Sequence, residues 1–461
     1  MINQLILSEI AKEYGGTIVG PDCVFQSVST DSRKLHEGQL FVALKGEKFD
    51  GHKFIPSISK KVCGLVVEHP LSNLEVSQWI VPDTTKALGQ IARANRKNFN
   101  GYLIGITGSC GKTSVKEMIA FILAKIGPVL FTKDNFNNEI GVPSTLINIS
   151  ASHNYAVVEM GAKAIGDIDY LCTLAAPDIG LVNNILPTHL ESFGSLKNIA
   201  KAKGEIYSDL PAGGSAVVNL DEPYAAKWCE STNAKIVSFS IDKSQADFTV
   251  NNLILRESGY YSFNLVTPEG KAAINLPLSG KHSVMNAIAA AACAYAAGAK
   301  LATITDGLNH LKQIDGRMKF EKFSSGLTLI DDTYNASPGS VKAAIDSLIE
   351  IDGLHVLVLG DMAELGRDEI QFHADIGKYA LDAGVNVLLA IGPLCSYTVK
   401  KFGEKGQHFN SKKELVSFLA NSKLLNSSLN DKHKNFLIKG SRFTGMEDVS
   451  QFIRNWETHK C

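Results

Sequence analysis

The stretch GITGSCGKTS, residues 105–114, combines residue types that bind phosphate. It follows a continuous apolar run, YLIGITG, and precedes apolar residues at helical spacing, so it lies where a buried strand passes into a helix. Glycines in such a loop let backbone N–H groups approach phosphate oxygens, and the helix N-terminus adds partial positive charge. The sequence therefore predicts that a phosphate chain is bound by Gly108, Ser109, Cys110, Gly111, Lys112, Thr113 and Ser114.

The spacing within this loop departs from the usual pattern G-x-x-x-x-G-K-[ST]. That pattern requires a glycine where Ile106 stands, and the first loop glycine is instead Gly108. Lys112 is expected to reach the β- and γ-phosphates, and Thr113 is expected to offer its hydroxyl group to Mg²⁺. The alternative interpretation is a tight strand-to-helix turn that contains GKT by chance.

Two further side chains are candidates for the metal ion that accompanies a phosphate chain. Glu159 ends the strand-like run YAVVEMG, and the carboxyl ends of parallel strands line the crevice where ligands bind. His189 follows another strand-like run, DIGLVNNI, on a loop. Either residue alone is more typical of a solvated surface position, so both predictions depend on the neighbouring phosphate loop.

The elements that position these residues alternate between strand and helix. From about residue 102 to 314, buried strand-like runs are followed by helical stretches, which is typical of a parallel sheet covered by helices. A second alternation begins near residue 315 and resembles a Rossmann sheet without its G-x-G-x-x-G loop. The sequence therefore predicts an α/β protein of three domains: a small amino-terminal α/β domain (1–83), a central P-loop ATPase-like domain with a parallel sheet (84–314) and a carboxyl-terminal Rossmann-like domain (315–461).

Composition narrows the classes of partner. Among 461 residues, 46 Lys and Arg balance 47 Asp and Glu, so a nucleic acid is not expected as a partner. Eight scattered cysteines without a C-x-x-C pair favour a reduced, cytoplasmic protein. The amino terminus predicts an amphipathic helix that ends at Gly15 and Gly16, and the apolar run 287–299 is too short for a bilayer. We expect a cytoplasmic monomer without membrane insertion.

A series of further motifs identifies a family. In chain order these motifs resemble the Mur ligases, and they are TGSCGKT, NFNNEIGVP (135–143), EMGA (159–162), NILPTHLESFGS (184–195), AKGEIY (202–207), HSVMNAIAA (282–290), DGRMKF (315–320), DDTYNASP (331–338), LGDMAELG (359–366) and KGSR (439–442). The resemblance covers nearly the whole chain, and the shortened phosphate loop is itself a trait of the family.

This resemblance implies an ATP-dependent ligase of peptidoglycan precursor synthesis that uses Mg²⁺. In such enzymes a substrate carboxylate receives the γ-phosphoryl group as an acyl phosphate, and an amine then displaces the phosphate. The resemblance implies catalytic roles for Lys112, His189, Lys203 and Arg317. It implies that Thr113 and Glu159 hold one Mg²⁺, that His189 helps with a second, and that Lys203 would also bind metal if it is carbamylated.

The resemblance also assigns contacts to the nucleotide and the other substrates. Asn286 would face the adenine, Arg317 the phosphates, and Asp332 the ribose or Arg317. The amino-terminal stretch 29–55 would bind a uridine diphosphate, with Ser32 and Arg33 at the diphosphate. Asn135, Asn137 and Asn138 would hydrogen-bond the muramoyl peptide, while Tyr334 and Asn335 would help to place the incoming dipeptide or the nucleotide. Without the resemblance, these positions would be ordinary turn, capping or strand-end residues.

Three positions depart from the family pattern, and some alternatives remain. Cys110, Ser283 and Ser337 stand where the family commonly has asparagine, and all three are small enough for their loops. A member that adds the third peptide residue would be expected to carry D-N-P-R, and a folylpolyglutamate synthase should lack the amino-terminal handle. A P-loop switch that makes no bond is the alternative of another class, although the guanine-binding N-K-x-D is absent from the sequence.

Overall fold

The computed structural model describes residues 1–46, 49–256, 259–426 and 433–458, so Cys461 lies outside the described residues. In the amino-terminal region, a mostly parallel sheet has the strand order β2-β9-β8-β5-β4, and only β2 pairs antiparallel with its neighbour. The elements of this region are β1 Leu5–Ile6, α1 Leu7–Tyr14, β2 Thr17–Val19, β3 Val24–Phe25, β4 Val28–Ser29, β5 Gln39–Val42, β6 Lys45–Gly46, β7 Phe49–Asp50, α2 Ile55–Ile58, β8 Val62–Val67 and β9 Ser77–Ile80.

The central domain is built on a parallel sheet with the strand order β11-β12-β10-β13-β14-β15, as the alternation of strands and helices predicts. Its elements are α3 Thr84–Lys97, β10 Tyr102–Thr107, α4 Lys112–Leu123, β11 Val129–Phe131, α5 Gly141–Ile147, β12 Tyr155–Glu159, α6 Asp167–Ala175, β13 Ile179–Val182, α7 Leu190–Phe193, α8 Leu196–Ser208, β14 Ser215–Asn219, α9 Ala225–Glu230, β15 Lys235–Phe239, β16 Thr249–Leu255, β17 Tyr260–Thr267, β18 Gly270–Ser279, α10 Lys281–Ala296 and α11 Leu301–Asn309.

The register of this sheet brings the predicted functional loops to one edge. Strand β10 lies between β12 and β13, with Ile106 opposite Glu159 and Thr107 opposite Val182. All three strands run in the same direction, so the phosphate loop, Glu159 and the segment after β13 leave the sheet side by side.

Two features of the central domain go beyond the predicted alternation. Strands β16, β17 and β18 form a separate antiparallel sheet, and buried and half-buried residues alternate along β17. Helix α10, the alanine-rich stretch, is buried on nearly every side, and Ala289 through Ala294 have no exposed surface. Among the described residues, no helix is both long and apolar enough to cross a bilayer.

The carboxyl-terminal domain has the strand order β19-β20-β24-β21-β22-β23, in which only the edge strand β19 is antiparallel. Asp332 and Lys439 lie opposite each other where β20 and β24 end. Its elements are β19 Lys319–Lys322, β20 Leu327–Asp332, α12 Pro338–Ile349, β21 Leu354–Gly360, α13 Glu369–Ala383, β22 Val387–Ile391, α14 Cys395–Phe402, β23 Gly406–Phe409, α15 Lys412–Asn421, α16 Lys423–Asn426, β24 Lys434–Lys439 and α17 Glu447–Thr458.

Candidate active site

A cleft of about 1280 Å³ lies between the central and carboxyl-terminal domains. This volume exceeds the 300–1,000 Å³ or so that is typical of a site for one small ligand. The strand ends of both sheets contribute to its walls. Of the predicted residues, those that line the cleft are Ser109, Cys110, Gly111, Lys112, Thr113, Ser114, Asn135, Asn137, Asn138, Glu159, His189, Lys203, Asn286, Arg317, Asp332, Tyr334 and Asn335.

The phosphate loop is held by both its own backbone and the segment after β13. Gly111 has φ of 79° immediately before α4, a left-handed conformation that favours glycine. A Cβ atom at this position would lie 2.7 Å from Asn286 Oδ1, so any larger residue would collide. The N–H of Cys110 donates to Asn184 Oδ1 at 2.9 Å, and Lys112 Nζ donates to the carbonyl oxygen of Gly108 at 2.7 Å.

Thr113 and Glu159, both predicted metal ligands, lie in direct contact. The Thr113 hydroxyl donates to Glu159 Oε2 at 2.9 Å, and Asn137 Nδ2 donates to Glu159 Oε1 at 2.9 Å. Glu159 is almost fully buried, and its backbone N–H donates to Thr132 Oγ1. The two predicted oxygen ligands thus lie together beside the first turn of α4. Asn137, which the sequence assigned to substrate, contacts this carboxylate.

Lys203 and His189 face the same cleft from α8 and from the loop before α7. Burial, and then the nearby Lys112, lower the pKa of Lys203 to about 7. Burial also lowers the pKa of His189, with Lys112, Lys203 and Lys163 acting in the same direction, while Glu364 opposes them. Each shift favours the neutral form of its side chain.

Arg317 reaches from the carboxyl-terminal domain to the phosphate loop. Its Nη2 donates to Thr113 Oγ1 at 3.2 Å, and its guanidinium lies 3.9 Å from the centre of the Tyr334 ring. Tyr334, which the sequence assigned to substrate, therefore packs against Arg317. Within the described part of the chain, the buried Arg317 Nε has no hydrogen-bond partner, so a donor remains available for an anion.

Asp332 does not contact Arg317, which was one of the two partners predicted for it. It forms a buried ion pair with Lys439 and accepts from the backbone N–H of Met318, whereas Arg317 contacts Thr113 instead. The pairing follows from the register of β20 and β24, which sets the two residues opposite each other. Lys439 belongs to the KGSR motif, but the sequence interpretation gave it no role. A buried aspartate at a strand end is a signal that a cation should be sought nearby.

Asn183 is another residue that the sequence interpretation missed. Its Nδ2 donates to Asn286 Oδ1 and to the carbonyl oxygen of Cys110, both at 2.9 Å. It therefore joins the phosphate loop to α10. Among the described residues, the buried Oδ1 of Asn183 and the buried hydroxyl of Thr188 lack hydrogen-bond partners. Thr188 lines the cleft, where an orphaned group of this kind is suited to a polar ligand.

The remaining predicted residues have local partners. Asn138 Oδ1 accepts from the N–H of Gly141 at the start of α5, and the backbone carbonyl oxygen of Asn335 accepts from Lys439 Nζ. The carbonyl oxygen of Gly108 accepts the hydrogen bond from Lys112 Nζ. Ser32 and Arg33 lie in a short 3₁₀ helix of the amino-terminal domain, where Arg33 pairs with Asp31 and is 85% exposed. The structure does not bring these two residues to the cleft.

Family models match three successive parts of the chain. The Mur ligase family catalytic domain matches residues 24–96, the Mur ligase middle domain 106–294, and the Mur ligase glutamate ligase domain 316–441. A curated relative from Escherichia coli, UDP-N-acetylmuramoyl-tripeptide–D-alanyl-D-alanine ligase, is 41% identical over 97% of this chain and 98% of its own.

Solved structures give a similar result. MurF from Acinetobacter baumannii superimposes with a TM-score of 0.90 at 34% identity, covering 98% of this chain and 99% of that one. MurF from Thermotoga maritima in complex with ADP has a TM-score of 0.84 at 26% identity, covering 94% and 98% of the two chains.

Proposed function

The chain belongs to the Mur ligase family, and on that premise we propose that it is an ATP-dependent ligase that joins D-alanyl-D-alanine to UDP-N-acetylmuramoyl-tripeptide. The observation that carries this function is the 41% identity to a ligase of that name along almost the whole of both chains. The reaction belongs to peptidoglycan precursor synthesis and so serves cell-wall biogenesis, cell shape and cell division.

The residues of the cleft fit a nucleotide and its metal ion. The loop leads into the first turn of α4, where backbone N–H groups suit phosphate oxygens, and Lys112 Nζ donates to the loop carbonyl oxygens of Gly108 and Ser109. The oxygens of Thr113 and Glu159 form the hard donor set that Mg²⁺ prefers. His189 in its neutral form and Lys203 as a carbamate complete the proposed set for a second ion.

Bound ATP and Mg²⁺ supply the phosphoryl group and the charge neutralisation that turn the substrate carboxylate into an acyl phosphate. In this chain, Lys112 and Arg317 place positive charge where two anions must approach each other. Arg317 approaches from the opposite domain, and Tyr334 supports its guanidinium group. Asn183 and Asn286 fix the loop against α10, with Asn286 proposed at the adenine and Asp332 at the ribose.

The other substrates are assigned to the amino-terminal domain and to the remaining walls of the cleft. We assign the uridine diphosphate to Ser32 and Arg33, since the exposed guanidinium of Arg33 is accessible to a diphosphate. Asn135, Asn137 and Asn138 line the central-domain wall and are assigned to the muramoyl peptide, while Tyr334 and Asn335 are assigned to the incoming dipeptide or nucleotide. The domain boundaries after residues 83 and 314, a monomeric state and a cytoplasmic location are part of the same proposal.

The experiment is phosphate release from MgATP with UDP-N-acetylmuramoyl-tripeptide, in the presence and absence of D-alanyl-D-alanine. We expect release that requires the dipeptide, together with a product whose mass equals both substrates less one water. Phosphate release that does not depend on the dipeptide would contradict the ligase function and would favour a nucleotide switch. Use of a single amino acid on the dipeptide precursor would instead indicate a ligase that adds the third residue.

A further inference from the structure

A loop of the carboxyl-terminal domain carries an acidic side chain to the proposed metal site of the central domain. The loop follows β21, and Met362 and Leu365 are buried in the core on either side of Glu364, which is exposed. Glu364 has φ of 59°, a left-handed conformation that non-glycine residues seldom adopt. The anchors on both sides therefore fix the direction in which Glu364 projects.

A buried polar cluster beneath the loop also supports it. The side chains of Asp361, His373 and Cys395 converge within 4.8 Å of one another. Their polar atoms are already used, because Asp361 accepts from the N–H of Cys395 at 2.8 Å and His373 Nε2 accepts from the N–H of Met362 at 3.0 Å. The cluster is therefore a support for the loop and not a metal site of its own.

Glu364 meets His189 across the boundary between the domains. The Glu364 Oε2 atom lies 2.6 Å from His189 Nδ1, and Lys163 Nζ lies 3.5 Å from Glu364 Oε1. His189 also has a left-handed backbone, with φ of 51°. A second contact accompanies the pair, since a Cβ atom at Gly366 would lie 3.0 Å from the backbone of Glu191. Two left-handed residues thus face each other at a close-packed junction.

The contact has a chemical consequence for the imidazole. A neutral histidine whose Nδ1–H donates to a carboxylate keeps its lone pair on Nε2. Histidines that bind metals commonly donate their other N–H to a carboxylate, which fixes the ring and raises its basicity as a ligand. The Nε2 atom of His189 is therefore the one available to a metal in the cleft.

We propose that Glu364 is a positioning residue that orients His189 as a metal ligand from the opposite domain. The proposal rests on the proposed function, in which His189 binds the second Mg²⁺. Because Glu364 and His189 lie in different domains, the metal site is complete only when the carboxyl-terminal domain is docked on the central one. Docking and metal affinity are thereby coupled through one hydrogen bond.

The first test needs no metal. In the metal-free protein with ¹⁵N-labelled histidine, we expect the His189 signal, assigned by its loss in His189→Asn, to report the Nδ1–H tautomer. Glu364→Ala should convert it to a mixture of tautomers. The matched control is Asp368→Asn, which removes a charge from the same segment at an exposed side chain that makes no cap hydrogen bond. An unchanged tautomer in Glu364→Ala would overturn the proposal.

The second test measures Mn²⁺ binding by electron paramagnetic resonance, with a non-hydrolysable ATP analogue present. Loss of a carboxylate that supports a metal-binding histidine typically weakens the metal about 10- to 100-fold, so we expect such a loss in Glu364→Ala and none in Asp368→Asn. In a His189→Asn background, Glu364→Ala should have no further effect. A further loss in that background would show that Glu364 does not act through His189. Dipeptide-dependent ligation by the unaltered protein tests the proposed function separately.

Discussion

Thr113 and Glu159 are joined by a 2.9 Å hydrogen bond that ties the first turn of α4 to the end of β12. The hydrogen bond holds the two proposed oxygen ligands together, and Arg317 donates to the same threonine hydroxyl from the other domain. The threonine hydroxyl is thus a point where the phosphate loop, the proposed metal ligand and the opposite domain meet.

Replacing Thr113 by valine should slow dipeptide-dependent phosphate release. The change removes the hydroxyl group proposed to bind Mg²⁺, an oxygen ligand that valine cannot replace, so we expect a rate lower by at least roughly tenfold. The apparent Mg²⁺ requirement should rise as well. Thr173→Val is the control, because the exposed Thr173 hydroxyl donates only to a local carbonyl group of α6. A rate within about twofold of the unaltered protein would contradict the role.

Lys203 should carry a carbamate that forms above neutral pH. Only the neutral amine reacts with CO₂, and a pKa of about 7 means that roughly nine tenths of Lys203 is neutral at pH 8 and roughly one tenth at pH 6. With ¹³C-bicarbonate, we expect a carbamate carbonyl resonance at pH 8 that declines towards pH 6. The resonance should be absent in Lys203→Ala and present in Lys201→Ala, since Lys201 is an exposed lysine of the same helix. A resonance that persists without Lys203 would contradict the assignment.

Breaking the ion pair between Asp332 and Lys439 should destabilise the carboxyl-terminal domain. Both side chains are buried, so Lys439→Met leaves an uncompensated carboxylate, and removal of one partner of a buried pair typically lowers the free energy of unfolding by about 3–5 kcal/mol. Urea denaturation should show the lower free energy of unfolding. The double variant with Asp332→Asn should recover part of that free energy. Lys412→Met, which breaks the exposed pair with Asp448, should change the free energy by no more than about 1 kcal/mol. Equal losses in the two lysine variants would argue against a special role for burial.

Alkylation of Cys110 should block the nucleotide site. Its Sγ lies 3.5 Å from Ser337 Oγ of the opposite domain, and it is half-buried, whereas Cys23, Cys172, Cys293 and Cys395 are buried. Treatment with N-ethylmaleimide should abolish activity, and a non-hydrolysable ATP analogue should slow the reaction. The activity that Cys110→Asn retains should resist the reagent, and Cys229→Ser should remain sensitive. Mass spectrometry that finds inactivation without a modified Cys110 would refute this prediction.

Elements with strong local signals could be predicted from the sequence. Asp83 accepts from the N–H groups of Thr85 and Lys86 at the start of α3, as expected for an N-cap, and α1 ends at Gly15 as predicted. The buried strands β10, β12 and β13 could be predicted for the same reason, because each is a continuous apolar run followed by a functional loop. Their adjacency then placed the phosphate loop beside Glu159.

Features that depend on the packing of distant segments could not be predicted. The antiparallel sheet of β16 to β18 lies within a region where the alternation indicated parallel strands, and its half-buried pattern is a weaker signal. The contacts of Glu364 with His189 and of Lys439 with Asp332 join residues more than one hundred positions apart. Their motifs were recognised, but only the docking of the two domains and the strand register show which side chains meet.

The burial of helix α10 has a consequence for inhibitor resistance. Asn286 projects towards the phosphate loop from a helix whose alanines are packed without exposed surface, so a bulkier residue on that face would force apart the elements around it. An inhibitor that hydrogen-bonds to Asn286 therefore contacts a wall of the cleft that mutation cannot readily reshape. Escape mutations are expected instead on the exposed rim of the cleft, where side chains can change without disturbing the core.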